Sequence, residues 1–136
     1  MENCIFCKII RNELPCFRVF EDDAALAFLD IAPFAKGHTL VIPRVHVATL
    51  PELPQDILAR LIQSVQHVSR LVASGLACHG FNLLQNNGAC AGQSVPHVHF
   101  HIVPRYDNGP VEWIPDPKRY APGEAAAVAA KIGGAA

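Results

Sequence analysis

The sequence predicts an α+β domain on a five-stranded antiparallel sheet, with one long and one short helix. Three observations carry this. Short apolar runs recur between turn residues. One long stretch repeats its apolar residues at helical spacing. Late in the chain, His97-Val98-His99-Phe100-His101-Ile102-Val103 alternates imidazoles with apolar side chains at a period of two. At 136 residues, 51% of them hydrophobic, the chain is long and apolar enough for one domain with a core. We read residues 1–136 as that single domain, with 106–136 as a C-terminal tail.

Cys4 to Asn12 places Ile5, Phe6, Ile9 and Ile10 at roughly helical spacing and reads as a short helix. Phe17 to Glu21 and Ala25 to Leu29 read as a hairpin around Asp22-Asp23. Ile31 to Gly37 carries Pro33 and reads as a loop. Thr39 to Ile42 is strand-like, with Pro43 closing it. After the Pro51–Pro54 break, Ile57, Leu61, Val65, Val68 and Val72 mark the long helix, and Gly75 reads as its stop. Phe81 to Gln85 is a further strand, followed by the small-residue loop from Asn86 to Ser94. The histidine strand ends at Pro104. Beyond Arg105 the chain is rich in Pro and Gly, Trp113 lies in an extended tail, and Glu124 to Ile132 reads as a short alanine-rich helix.

The net charge of −1 predicts no general polyanion binding, hence no nucleic-acid partner. No apolar run reaches the length of a membrane span. Met1-Glu2-Asn3-Cys4 shows no signal-peptide pattern, and five cysteines without one point to a reducing compartment, the cytoplasm.

On a strand the three histidines share one face. Positions i and i+4 of a strand lie roughly 13 Å apart, so His97 and His101 cannot share one ion. A zinc hydrolase using the whole row is therefore disfavoured. Imidazoles can instead attack phosphorus and neutralise phosphoryl oxygens. Gly88 and Gly92 let backbone N–H groups approach an anion, and Gln93 and Ser94 add donors. Cys4-Ile5-Phe6-Cys7 is a Cys-x-x-Cys pair whose thiolates can share zinc. The remaining ligands could come from His46, His79, His97, Cys78 or Cys90. His67 and His79 read as structural or solvated.

Gly92-Gln93-Ser94-Val95-Pro96-His97-Val98-His99-Phe100-His101-Ile102-Val103 resembles the signature of the histidine-triad nucleotide-binding proteins. Asp30-Ile31-Ala32-Pro33 and Gly37-His38-Thr39-Leu40-Val41-Ile42-Pro43 resemble that family's upstream block, and Asn86 with its glycine-containing loop also fits. The resemblance covers almost the whole chain and points to the compact, zinc-containing, bacterial-type branch.

It implies a nucleotide hydrolase or transferase acting at the α-phosphate of purine nucleotides: phosphoramidates, adenylates or dinucleoside polyphosphates. His99 would attack the α-phosphate and form a covalent nucleotidyl-histidine. His101 would contact the phosphate oxygens, His38 would join the proton network, and Ser94 would hold an oxygen or help protonate the leaving group. Asn86, Gly92 and Gln93 would lie beside the phosphate, with Asp30 on the ribose hydroxyls and Ile31 against the base. Cys4, Cys7, His46 and His97 would hold structural zinc. A homodimer is implied, its sheets joined edge to edge and its long helices in contact, with Trp113 packing near the partner's active site. A non-catalytic nucleotide-binding adaptor or sensor is the alternative.

Overall fold

The computed structural model describes residues 3–134. Met1 and Glu2, which open the polar N-terminal stretch, and Ala135 and Ala136 lie outside them, as do the two ends of the range 1–136. Helix α1 (Ile5–Ile10) leads into hairpin β1 (Arg18–Glu21) and β2 (Ala25–Leu29), then β3 (Thr39–Pro43) and the long helix α2 (Gln55–Leu76). Strands β4 (Gly80–Gln85) and β5 (Phe100–Arg105) follow, and helix α3 (Glu124–Gly133) is the last element among the described residues. The sheet is antiparallel throughout, in the order β1-β2-β3-β5-β4.

Each face of this sheet is covered, because alternate strand residues need burial on opposite sides. Val19, Ala25, Ala27, Leu29, Val41, Val98, Phe100 and Ile102 pack with Leu61, Val65, Val68, Leu71 and Val72 of α2 and with Ala125, Ala129 and Ile132 of α3. On the opposite face Leu26, Phe28, Leu40 and Ile42 pack against Phe6, Cys7 and Ile9 of α1. The alanine-rich end of the tail therefore belongs to the main core. Tyr120 and Tyr106 tie the tail to the loop before β3: Gly37 N–H donates to Tyr120 Oη (2.9 Å), and Tyr106 Oη donates to the Lys36 carbonyl (2.5 Å).

Several boundaries differ from the sequence expectation, among them that α1 spans Ile5–Ile10 within the expected Cys4–Asn12. Gly75 does not stop α2, which runs to Leu76 and ends at Ala77 in the left-handed region. A Cβ at position 75 would lie 2.4 Å from the Lys131 carbonyl oxygen, so this glycine lets α2 and α3 approach closely. Pro43 closes β3 from within, paired with Ala25. The histidine strand begins only at Phe100, and it continues through Pro104 to Arg105.

Pro104 is tolerated because of its neighbours. Arg105 accepts at its carbonyl from His79 N–H on the β4 side, so the adjacent residue 104 presents its backbone toward β3. The last β3 pairing is Thr39 with Ile102, so no partner there lacks a donor. Among the described residues, no helix is long and apolar enough to cross a membrane.

Candidate active site and metal centre

His97 lies in a bend, its N–H donating to Val95 O (2.8 Å), and His99 follows just before β5, while His101 lies within it. All three project to the α1 side, away from Val98, Phe100 and Ile102. That side is not open: His97 is fully buried and His99 is 3% exposed. Phe6 of α1 meets both, its ring centroid 5.8 Å from His97 and 5.0 Å from His99 at near-perpendicular angles. Phe28 stacks edge-on behind Phe6 at 5.5 Å. Sequence reasoning does not single out Phe6 as a site residue; its position inside Cys-x-x-Cys is the available signal.

The backbone partners assign each imidazole a tautomer. A carbonyl only accepts, so His97 Nε2 donates to Pro43 O (2.9 Å), leaving the Nδ1 lone pair free. His99 does the reverse: Nδ1 donates to His97 O (2.7 Å), leaving the Nε2 lone pair free. Phe34 N–H donates to His38 Nδ1 (3.1 Å), so neutral His38 carries its proton on Nε2. That Nε2–H donates to His101 Nδ1 (2.9 Å), which puts the His101 proton on Nε2. Burial favours the neutral rings throughout. It pushes His38 down to about 3, helped by His101, and His97 and His101 down to about 4. His99 is lowered by the same desolvation, against its bond to the His97 carbonyl and the Asp30 charge.

The free Nδ1 of His97 lies 3.5 Å from Cys4 Sγ and 3.6 Å from Cys7 Sγ. His46 Nδ1 is 3.3 Å from Cys7 Sγ. The four ligand atoms of Cys4, Cys7, His46 and His97 lie within 4.8 Å of one another. Two sulfurs and two imidazole nitrogens in a closed cluster suit tetrahedral zinc, and the His97–Pro43 bond is the outer-shell contact that orients a metal-binding histidine. This residue set fits the ion. Asp30, His38 and His101 also converge. There the Phe34 amide engages His38 Nδ1 and fixes the proton on Nε2, so that His38 and His101 form a hydrogen-bonded relay with the Asp30 carboxylate beside it.

Asp30 accepts at Oδ1 from Ala32 N–H (2.9 Å), and its Oδ2 lies 3.8 Å from His38 Nε2. Desolvation raises its carboxyl. Ile31 beside it is 75% exposed, free to meet a ligand. Gly92 adopts a φ of +94°, and a Cβ there would approach Asn86 Nδ2 at 3.5 Å. Gln93 is fully engaged: Oε1 accepts from Gly88 N–H (2.7 Å), while Nε2 donates to Ala48 O (2.6 Å) and Val95 O (3.0 Å). Its carboxamide shapes the loop. Ser94 is exposed and shares a groove with Val95, Pro96, Cys4 and His46.

Residues 11–108 match the HIT domain. A HIT-like protein of Methanocaldococcus jannaschii is 50% identical over 104 residues, 76% of this chain and 80% of that protein. The adenosine 5'-monophosphoramidase of Schizosaccharomyces pombe is 46% identical over 76% of this chain and 74% of its own. An Arabidopsis thaliana adenylylsulfatase is 46% identical over 76% of this chain, which spans 52% of that longer protein. Among solved structures, a zinc-bound histidine triad family protein of Mycobacterium smegmatis superposes with a TM-score of 0.84 at 35% identity, covering 98% of this chain and 93% of its own. By the motif, the fold and these relatives, the chain belongs to the histidine triad (HIT) family.

Proposed function

We propose that the protein is a hydrolase of purine nucleotides that cleaves at the α-phosphate, with phosphoramidates, adenylates and dinucleoside polyphosphates as its substrate classes. The Nε2 of His99, left without a hydrogen-bond partner among the described residues, carries this reading, since Nδ1 is held on the His97 carbonyl. The Nε2 lone pair attacks phosphorus, and the bond from phosphorus to the leaving amine, sulfate or phosphate breaks with its electron pair. Ser94 or water supplies the proton that an amine leaving group needs. Water then attacks the nucleotidyl-histidine, the P–N bond to His99 breaks, and the nucleoside monophosphate leaves. The Nε2–H of His101, aligned through His38, donates to a phosphate oxygen. Asn86 and Gly92 flank the phosphate, and Gln93 keeps that loop in shape. Asp30 Oδ2 accepts from the ribose hydroxyls while Ile31 packs on the base. The phosphoramidase and adenylylsulfatase relatives support the class of leaving group.

Cys4, Cys7, His46 and His97 would hold zinc as a structural ion. When bound it cross-links α1 to the β5 approach and supplies no Lewis acid to the phosphate. Reduced cysteines at this site suit the cytoplasm. The exposed Phe81 and Leu83 on the edge strand β4, with Ile62 on α2, support a homodimer across that edge.

Incubation with α-labelled adenosine phosphoramidate, followed by an alkaline quench, is the test. Label on His99 and loss of both label and turnover in His99→Ala are expected. Tight binding of adenosine monophosphate with no label and no turnover on any substrate class would leave a nucleotide sensor instead.

A further inference from the structure

The histidine relay does not begin at His38. Phe34 N–H, which sets the His38 tautomer, belongs to the same peptide unit as the Pro33 carbonyl. That carbonyl accepts from Lys118 N–H at 2.8 Å. One peptide plane is thus hydrogen-bonded on both sides, by the tail and by the imidazole. The next peptide is fixed as well: Lys118 Nζ donates to Phe34 O at 3.0 Å. The Phe34 ring lies 5.0 Å from the His38 ring, so the same residue packs on the imidazole it polarises.

The geometry points to Lys118 as a positioning residue for the reaction: its backbone N–H is the first donor of a chain that runs through the Pro33–Phe34 peptide, His38 and His101 to the phosphate. Each link is directional. Lys118 N–H polarises the Pro33 carbonyl, and amide resonance makes Phe34 N–H a stronger donor. Phe34 N–H holds His38 Nδ1 unprotonated, His38 Nε2–H holds His101 Nδ1 unprotonated, and His101 Nε2–H points onward. Tyr106 on Lys36, Tyr120 on Gly37 and the Lys36–Glu124 ion pair keep the tail against this loop and so keep Lys118 in reach. The tail thereby acts on the chemistry without touching substrate. The assignment rests on the reading of His101 as phosphate donor, while the tautomer it predicts does not depend on any substrate.

Lys118→Pro removes the N–H donor, and Lys118→Ala removes only the ammonium. The readout is the ¹⁵N signature of the His38 and His101 rings in the zinc-loaded full chain, alongside kcat and KM for adenosine phosphoramidate. In the unaltered protein both rings show an unprotonated Nδ1 and a protonated Nε2. Lys118→Pro mixes the His38 tautomers and lowers kcat about three- to tenfold, the worth of one hydrogen bond, with KM unchanged. Lys118→Ala keeps the tautomers and most of kcat. An unmixed His38 tautomer in folded Lys118→Pro overturns the proposal, even if the protein turns over no nucleotide. So does the absence, in the unaltered chain, of a through-hydrogen-bond coupling between Lys118 N and the Pro33 carbonyl carbon, which decides the matter should the proline variant not fold.

Discussion

His97 and His99 are two residues apart, both buried, and both packed on Phe6, yet their rings are held in opposite senses. His97 is tied to backbone through Nε2 and offers Nδ1 to two sulfurs. His99 is tied through Nδ1 and offers Nε2 to the ligand side. The carbonyl within reach makes the difference: Pro43 O at the end of β3 for one, the chain's own His97 O for the other. Identical side chains thus present opposite nitrogens through their backbone partners, Nδ1 of His97 toward the sulfurs and Nε2 of His99 away from its own backbone.

The largest expected effect separates the pair by function. His99→Ala lowers turnover by about 10⁴-fold or more while zinc content by atomic emission stays at one per chain. His97→Ala reverses the pattern, losing the metal while turnover falls only roughly tenfold. Loss of zinc in both variants would erase the distinction.

Metal removal comes next. Chelation, or Cys4→Ser with Cys7→Ser, lowers the melting temperature by on the order of 10 °C in calorimetry, because the ion binds only the folded chain. The His99 ¹⁵N signature, tied to a backbone carbonyl, keeps its tautomer in that metal-free protein.

Acid probes the ligand side of the comparison. His38 and His101 stay neutral in the folded chain down to about pH 3 and 4, whereas the same groups in the unfolded chain take up protons near pH 6.5. Below pH 6.5 the unfolded state therefore binds more protons, and stability falls as pH falls. Each group contributes a slope of about 1.4 kcal/mol per pH unit between pH 6.5 and its folded value, so its stabilisation is full above pH 6.5 and lost as pH falls toward that value. Urea titrations between pH 7 and 4.5 measure it, and His38→Gln flattens the slope. A flat profile in the unaltered protein would show that these rings are not buried neutral.

The smallest effect concerns the side chain the two histidines share. Phe6→Leu costs about 1 kcal/mol of stability by denaturant titration and moves the ring signals of His97 and His99 together. A change confined to one ring would mean that Phe6 does not link the two sites.

The alternation of Val98, Phe100 and Ile102 with the histidines was legible because a period of two dictates which side each residue faces. The Asp22-Asp23 hairpin and the α2 repeat were legible for the same reason, as local patterns. Where β5 starts was not. Strand pairing needs a partner, and Val98 N–H goes to Val47 O in the crossover, outside the sheet. Nor could the sequence reveal that α1 covers the histidine face, since Phe6 reads as one apolar residue among several in a short helix. His46 was legible only through the family resemblance. Spacing alone left five candidates for the two remaining zinc ligands. The Phe34 amide lies beyond any side-chain pattern, because a backbone N–H carries no sequence signature. Gly75 illustrates the opposite error: a glycine near a helix end suggests a cap, while here a crossing helix needs its missing Cβ.

Pro104 has a consequence for where the sheet ends. In the register that pairs Thr39 with Ile102, residue 37 falls opposite residue 104, so β3 could lengthen toward Gly37 only by pairing with this proline. A proline there offers no donor, and its ring would crowd any side chain at 37, where a Cβ would lie 3.3 Å from Pro104 Cγ. The imino acid therefore closes the β3–β5 ladder before Gly37 and leaves the loop that carries the Phe34 amide outside the sheet.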